Sequence, residues 1–412
     1  MGESVLKLEQ ESDAQIFVGR QAILDTHGNT YAYELLFRSG QENAAEILDG
    51  NRATAQVLIN SLVDIGLDSL VGEKLAFVNF TRDSLLNDTV HMLPTERIVV
   101  EVLEDMLVDE KLIQEIEKLS GLGYIIALDD FEYSPHWDPI IPLADIIKFD
   151  VMSLGLSALD RELEHVKQYD LKLLAEKVET HEEFEHLKAL GFDYYQGYFF
   201  EKPKVVSGNK MPDNQVALLN LIARLQDPEI DVSEIESLVA QNVTLSYKLL
   251  RYINSASLSL PKKVNSIRQV VVYFGLQRLK NWVTLLAMTD LGDKPSELLT
   301  TGLIRAKMCE LLAIELAYPD SERFFMLGMF SILDALLDRP MPEILDRLPV
   351  SEEMLDGLIN RQGELGKILE YCIAFDKNTP AGWNPDIDAN SINRIHMEAI
   401  IWSRESQGSL GN

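Results

Sequence analysis

Short apolar runs rich in β-branched and aromatic residues recur through the first half of the chain, with amphipathic stretches between them. Residues 75–79 (LAFVN), 98–101 (IVVE), 124–130 (YIIALDD), 146–150 (IIKFD) and 171–176 (LKLLAE) are such runs; residues 111–119 and 182–190 have helical spacing. Continuous apolar strands separated by helices indicate a parallel sheet covered on both faces. With further stretches at 16–20, 31–38 and 193–199, eight strands are expected. That number favours a modified (β/α)8 TIM-type barrel over an open doubly wound sheet.

The pattern ends at a polar joint, residues 203–213, and only helical spacing follows. Residues 215–225, 233–241, 246–254, 266–274, 277–290, 296–316 and 324–337 read as helices, several with Ser or Asp near the start. The expected division of the 412 residues is 1–205 for the barrel and 213–412 for an all-helical domain, with residues 403–412 as a frayed tail. No apolar run reaches the roughly 20 residues of a membrane helix. The first residues lack a basic region followed by an apolar core, so no signal peptide is expected and the cytoplasm is the expected location. Cys309 and Cys372 are too few for a disulfide framework or a Cys-based zinc cluster.

Polar groups sit at the C-terminal ends of the apolar runs. They are Glu34, Asn79, Glu101, Asp129 with Asp130, Lys148, Glu176 and Gln196. In a parallel barrel these positions converge on one mouth. Alone, each is as well explained as a helix cap or a solvated loop carboxylate. Together they crowd carboxylates whose mutual repulsion is large in a low-dielectric site. The net charge of −29 adds weight, because residues 1–205 hold 39 Asp and Glu against 17 Lys and Arg. Divalent cations would relieve that repulsion. Oxygen ligands with neither Cys nor His among them suit hard ions, Mg²⁺ or Mn²⁺. Adjacent Asp129 and Asp130 suit two ions clamping a phosphodiester, with Lys148 offsetting charge and Glu176 deprotonating water.

The first half, across residues 15–205, resembles the EAL family of cyclic di-GMP phosphodiesterases. Seven motifs carry the resemblance in order: Tyr33-Glu34-Leu35-Leu36-Phe37-Arg38, Val78-Asn79-Phe80-Thr81, Val100-Glu101-Val102-Leu103-Glu104, Asp129-Asp130-Phe131, Ile147-Lys148-Phe149-Asp150, Ala175-Glu176-Lys177-Val178-Glu179-Thr180 and Gln196-Gly197-Tyr198-Phe199-Phe200-Glu201-Lys202-Pro203. The resemblance implies two Mg²⁺ or Mn²⁺ ions held by Glu34, Asn79, Glu101, Asp129 and Asp130. It implies Glu176 as general base or partner of the attacking water, Lys148 orienting that water, and Gln196 supporting the site. Arg38 would contact a substrate phosphate, and Glu104 would anchor the loop after Asp130. It also implies a signalling role of the kind that governs bacterial motility and biofilm.

The segment after Arg38 lacks the family's Pro-containing stretch, and four further departures stand out. Leu35 replaces Ala, adding bulk beside a ligand; residues 132–137 lack the family's glycines; Lys177 replaces Gly; and Glu201 replaces a small residue. Altered support around such ligands costs 10–100-fold in metal affinity or activity. His136 reads as a surface residue and Trp137 as packing.

Residues 218–288 resemble the HDOD family, helical relatives of the HD phosphohydrolases, through the segments 219–228, 245–255, 266–270 and 274–276. Residues 325–334, where an HD enzyme carries its His-Asp pair, hold no histidine, so hydrolysis by this half is not expected. Between Glu236 and Asp290 no acidic residue interrupts Lys248, Arg251, Lys262, Lys263, Arg268, Arg278 and Lys280. That block is either a set of solvated helix faces or a docking surface. Specific nucleic-acid recognition is not favoured, since aromatics are not interleaved with it.

The reading is an EAL–HDOD signalling protein. On that reading its barrel would hydrolyse cyclic di-GMP to the linear dinucleotide, and its HDOD half would regulate the barrel or dock a protein partner, with a homodimer compatible. The alternatives are a degenerate barrel that senses cyclic di-GMP, and a protein-interaction scaffold that binds neither metal nor dinucleotide.

Overall fold

The computed structural model describes residues 16–39, 66–87, 90–204, 213–241, 243–254, 264, 266–289, 294–377, 379, 381–383 and 385–410. Eight strands close a barrel in sequence order: β1 (Ile16–Asp25), β2 (Thr30–Ser39), β3 (Leu75–Phe80), β4 (Ile98–Val102), β5 (Ile125–Leu128), β6 (Ile146–Asp150), β7 (Lys172–Glu176) and β8 (Tyr194–Gln196). Around them lie α1 (Leu67–Val71), α2 (Arg82–Leu86), α3 (Glu110–Gly121), α4 (Val151–Leu154), α5 (Leu156–Val166) and α6 (His181–Ala189).

The expected all-parallel sheet needs correction at one place. From β2 to β8 neighbours run parallel, but β1 is antiparallel to both β2 and β8. A tight turn reverses the chain after β1. The Asp25 carboxylate accepts the backbone N–H of His27 and Asn29, and Gly28 takes φ +79°. A turn this short leaves no room for a crossover helix, and only antiparallel strands tolerate that.

Strand alternation divides the side chains into two layers. Ile23, Ala32, Phe77, Val99, Ala127, Ile146 and Leu174 form a separate cluster that plugs the barrel interior. The alternate residues, among them Leu24, Tyr33, Leu35, Val78, Val100, Leu128, Ile147 and Ala175, belong to the main core outside the barrel.

The second half is helical, as expected. It comprises α7 (Asp213–Gln226), α8 (Val232–Ala240), α9 (Val243–Ile253), α10 (Ile267–Phe274), α11 (Leu276–Thr289), α12 (Ser296–Glu315), α13 (Ser321–Phe330), α14 (Leu333–Leu337), α15 (Met341–Leu345), α16 (Glu352–Ile359), α17 (Gly363–Asp376) and α18 (Ala389–Leu410). The stretch 324–337 is two helices rather than one, because the chain turns at Ser331 and Ile332. The expected frayed tail is instead the end of α18, which runs to Leu410 and buries Ser403 and Ser406 on its inner side. Leu225, Ile235, Leu249, Tyr252, Val270, Trp282 and Leu286 belong to a second core.

The main core is continuous from the barrel's outer face into α12, α13, α17 and α18. Polar links cross the same boundary. Tyr33 and Thr30 of β2 donate hydroxyl hydrogen bonds to the buried Glu297 carboxylate at the start of α12, at 2.8 and 3.2 Å. Arg305 on α12 is 3% exposed and pairs with Glu201, just past β8, at 3.0 Å and with Asp376 of α17 at 3.4 Å. The Tyr198 hydroxyl donates to the Asp376 carbonyl.

Three described members of the basic block are paired or buried. Arg268 meets Glu236, Arg278 lies near Glu310 and Glu322, and Lys280 is buried with its ammonium on the Asp227 carbonyl. Lys262 and Lys263 lie outside the described residues, as does most of the joint at 203–213.

Candidate active site

Two residues beyond each member of the interior plug, every strand places a polar side chain on the inside. Along β2 to β8 the steps are Ala32 to Glu34, Phe77 to Asn79, Val99 to Glu101, Ala127 to Asp129, Ile146 to Lys148, Leu174 to Glu176 and Tyr194 to Gln196. On β1, which runs the other way, the step is from Ile23 back to Gln21. The register agrees, pairing Gln21 with Glu34, Asn79 with Glu101 and Ile23 with Gln196. The period of two therefore converts eight separate segments into one polar ring above an apolar plug.

Lys148 stands at the centre of the ring, fully buried. Its Nζ lies 2.5 Å from Glu101, 2.7 Å from Asp129, 2.9 Å from Glu176 and 3.6 Å from Glu34. Burial alone would lower the lysine pKa, but the four carboxylates outweigh it and hold the ammonium well above its usual range. One cation cannot balance four anions. Burial accordingly raises Glu101 far above the usual carboxylate range and pushes Glu176 up to about 8, with Asp129 and Glu34 adding repulsion in both cases. The crowded carboxylates therefore do not depend on divalent ions alone. The lysine beside them and retained protons share the task, which corrects the expectation from sequence.

The remaining ring members are tied by hydrogen bonds. Glu34 accepts from Asn79 Nδ2 at 3.1 Å and from Gln196 Nε2 at 2.6 Å, and Gln196 also donates to Gln21 Oε1 at 3.0 Å. Gln21 was not singled out from sequence; a polar residue inside the β1 run was the available signal. Gly197 follows Gln196 at φ +146°, and a Cβ there would stand 2.1 Å from the Val178 carbonyl oxygen, so glycine is required for the chain to turn under the ring.

Asp130 has φ +41° and is half-buried, with its carboxyl raised by burial and by Asp129. The loop after it lacks glycine yet is firmly held. Phe131 and Trp137 are buried, Tyr133 N–H donates to Glu162 at 2.7 Å, and the Tyr133 ring stacks on His165 at 3.9 Å. Trp137 is packing, and His136 is exposed, as expected. Glu104 is exposed, and among the described residues no hydrogen bond joins it to this loop. The Arg38 side chain lies outside the described residues. Leu35 does not crowd the ring: alternation turns it outward, 1% exposed, into the main core.

Among the described residues no three His, Cys, Asp or Glu side chains are arranged to hold a metal ion. The carboxylates turn toward Lys148 instead. Their other oxygens matter here. Asn79 Oδ1, Glu101 Oε2, Asp130 Oδ1 and Gln196 Oε1 are buried without a hydrogen-bond partner, and Asp129 Oδ1 meets Lys148 at ion-pair distance but off a hydrogen-bonding direction. Buried oxygen acceptors left unsatisfied are costly, and hard oxygen donors of this kind fit Mg²⁺ or Mn²⁺. Lys177, directly after Glu176, has φ +56° and pairs with Asp150, which caps α4 by accepting from the Met152 and Ser153 N–H groups. A non-glycine residue in that conformation stores about 1 kcal/mol of strain or more.

The chain is 35% identical over 405 residues to the cyclic di-GMP phosphodiesterase CdgJ of Vibrio cholerae, covering 94% of this chain and 92% of that one. It is 31% identical over 400 residues to the uncharacterized protein YuxH of Bacillus subtilis, covering 94% and 98%. The HDOD domain family matches residues 211–341. The chain belongs to the EAL–HDOD family. Among solved structures, a standalone EAL protein of Vibrio cholerae in its c-di-GMP-bound form is similar to the barrel half, at 23% identity and a TM-score of 0.37, over 46% of this chain and 92% of that one. For an EAL–HDOD protein the seven motifs fall where the strands deliver them to one ring. No described helix is long and apolar enough to cross a membrane.

Proposed function

We propose that this chain hydrolyses cyclic di-GMP at the barrel mouth, opening one phosphodiester to give the linear dinucleotide. The observation that carries the reading is the set of unsatisfied oxygens from Asn79, Glu101, Asp130 and Gln196 beside Asp129 in the polar ring. Full-length relatives of the same architecture, one of them named a cyclic di-GMP phosphodiesterase, support it.

Glu34, Asn79, Glu101, Asp129 and Asp130 would hold two Mg²⁺ or Mn²⁺ ions. When bound, the ions would supply charge stabilisation at the attacking and leaving oxygens of an in-line displacement. The ring does the rest. Lys148 keeps a positive charge beneath the phosphate and fixes the orientation of Glu101, Asp129 and Glu176. Glu176, poised near neutrality, accepts the proton of the attacking water. Gln196 and Asn79 hold the Glu34 carboxylate in place through its two oxygens. The barrel is assigned residues 1–205 and the helical HDOD half 213–412, the latter regulating the barrel or docking a protein partner. The cytoplasm is the compartment this reading implies.

A second reading, a sensor that binds cyclic di-GMP without cleaving it, is favoured by one observation. Lys148 is already engaged with four carboxylates, so metal entry must loosen those pairs. The test is incubation of the purified full chain with cyclic di-GMP and Mn²⁺, with calorimetry alongside. Linear dinucleotide is expected. Tight binding without product selects the sensor, and neither binding nor product eliminates both readings.

A further inference from the structure

A phosphodiester carries a full negative charge, and this mouth is lined by Glu34, Glu101, Asp129, Asp130 and Glu176. Lys148 cannot meet an incoming phosphate readily, since it is fully buried and surrounded by four of those carboxylates. Beyond the two ions proposed above, a cation nearer to solvent would favour the approach of an anionic substrate to such a mouth. Lys177 is such a group. Its side chain is 54% exposed, its ammonium pairs with Asp150, and it sits in the field of Asp130 and Glu176.

Its backbone adds a second observation. At φ +56° a glycine would be unstrained, whereas lysine is held there against its own preference. Capping of α4 engages only Asp150 Oδ1, which accepts both N–H groups, and the lysine meets the other oxygen, Oδ2, from the solvent side. A strained, exposed cation at the rim of an acidic ring has a task that capping does not explain.

We propose that Lys177 is a substrate-binding residue whose ammonium swings from Asp150 to hydrogen-bond a non-bridging phosphate oxygen of the dinucleotide. This deepens the function proposed above and rests on it. Charge-assisted bonds of this kind are among the stronger polar contacts in proteins. Because Lys177 lies directly after Glu176, docking a phosphate there also brings the scissile group beside the residue that takes the proton.

The test compares wild type, Lys177→Met, Lys177→Gly and Lys177→Arg as full chains. Affinity for cyclic di-GMP is measured by calorimetry in Ca²⁺, turnover in Mn²⁺, and thermal midpoint without substrate. Both neutral variants are expected to raise Kd and KM about tenfold, the contribution of one such bond, with kcat within about threefold of wild type. The arginine variant is expected to retain most of the affinity. The gap between wild type and Lys177→Met should narrow at about 0.5 M salt, where exposed charges are screened. Lys177→Gly should melt above Lys177→Met, because the strain is gone. Unchanged Kd and KM with a lowered midpoint in both neutral variants would make Lys177 a structural partner of Asp150 and overturn the proposal alone. A wild type that neither binds nor hydrolyses cyclic di-GMP overturns the functional reading, and this proposal with it.

Discussion

Lys148 is the residue on which the charge balance of the ring turns. Removing one partner from a buried ionic cluster leaves uncompensated charge, which typically costs about 3–5 kcal/mol. Lys148→Met is expected to lower the stability of the metal-free protein by about that amount, and Mn²⁺ should recover more stability in the variant than in wild type. Urea unfolding with and without Mn²⁺ measures both. Glu176 sets a pH dependence of definite sign. Its carboxyl titrates at about 8 in the folded protein against 4.5 in the free side chain. Between those values the folded state holds a proton that the unfolded chain has released. Stability of the metal-free protein must then fall as pH rises through this window and level off above it. Thermal midpoints at pH 5, 6.5 and 8 should descend in wild type, and Glu176→Gln should flatten much of the slope. A rising profile would contradict the assignment.

At the scale of elements, the strands make the difference between residues that serve the ring and residues that serve the core. Leu35 neighbours Glu34 in sequence but faces away from it, so Leu35→Ala is expected to cost about 2–5 kcal/mol of stability while turnover per folded molecule stays near that of wild type. Unfolding curves paired with kcat check this, and a large loss of kcat would return Leu35 to the site. The same residue illustrates what could be read from the chain alone. Motif order revealed the barrel and all of the ring except Gln21, because each run ends in a polar residue and period-two alternation is local. Alternation alone does not reveal the direction of β1, which depends on a four-residue turn held by Asp25 and Gly28. The packed end of α18 was not legible either. Its polar residues, Ser403 and Ser406, are buried by distant helices that no local pattern announces. The sequence marks Lys148 as a charge for the phosphate, while its four-fold pairing depends on which side chains converge. The loop at 132–137 lacks glycine yet is anchored by Tyr133 and Trp137, which is visible only once α5 supplies Glu162 and His165.

Across the whole molecule, the helical half packs directly on the barrel. Arg305 on α12 holds Glu201 of the barrel and Asp376 of α17 in a buried triad. Arg305→Met should destabilise the chain by about 3–5 kcal/mol at neutral pH, because two buried carboxylates lose their counter-charge. Burial already raises Asp376 to about 6. The deficit should therefore shrink at pH 5, where that carboxyl is protonated in the folded state, and denaturation at the two pH values measures the difference. The hairpin formed by β1 and β2 has a further consequence. Having no helix in its own connection, it borrows α12 as its outer wall. Tyr33, gripped by Glu297 on that wall, is the immediate neighbour of Glu34 on the inner side, and Glu201, gripped by Arg305, lies five residues past Gln196. Exchange of the C-terminal half for an unrelated module would strip insulation from two staves of the barrel at once. Whatever tugs on α12 therefore reaches the polar ring at Glu34 through a single peptide bond.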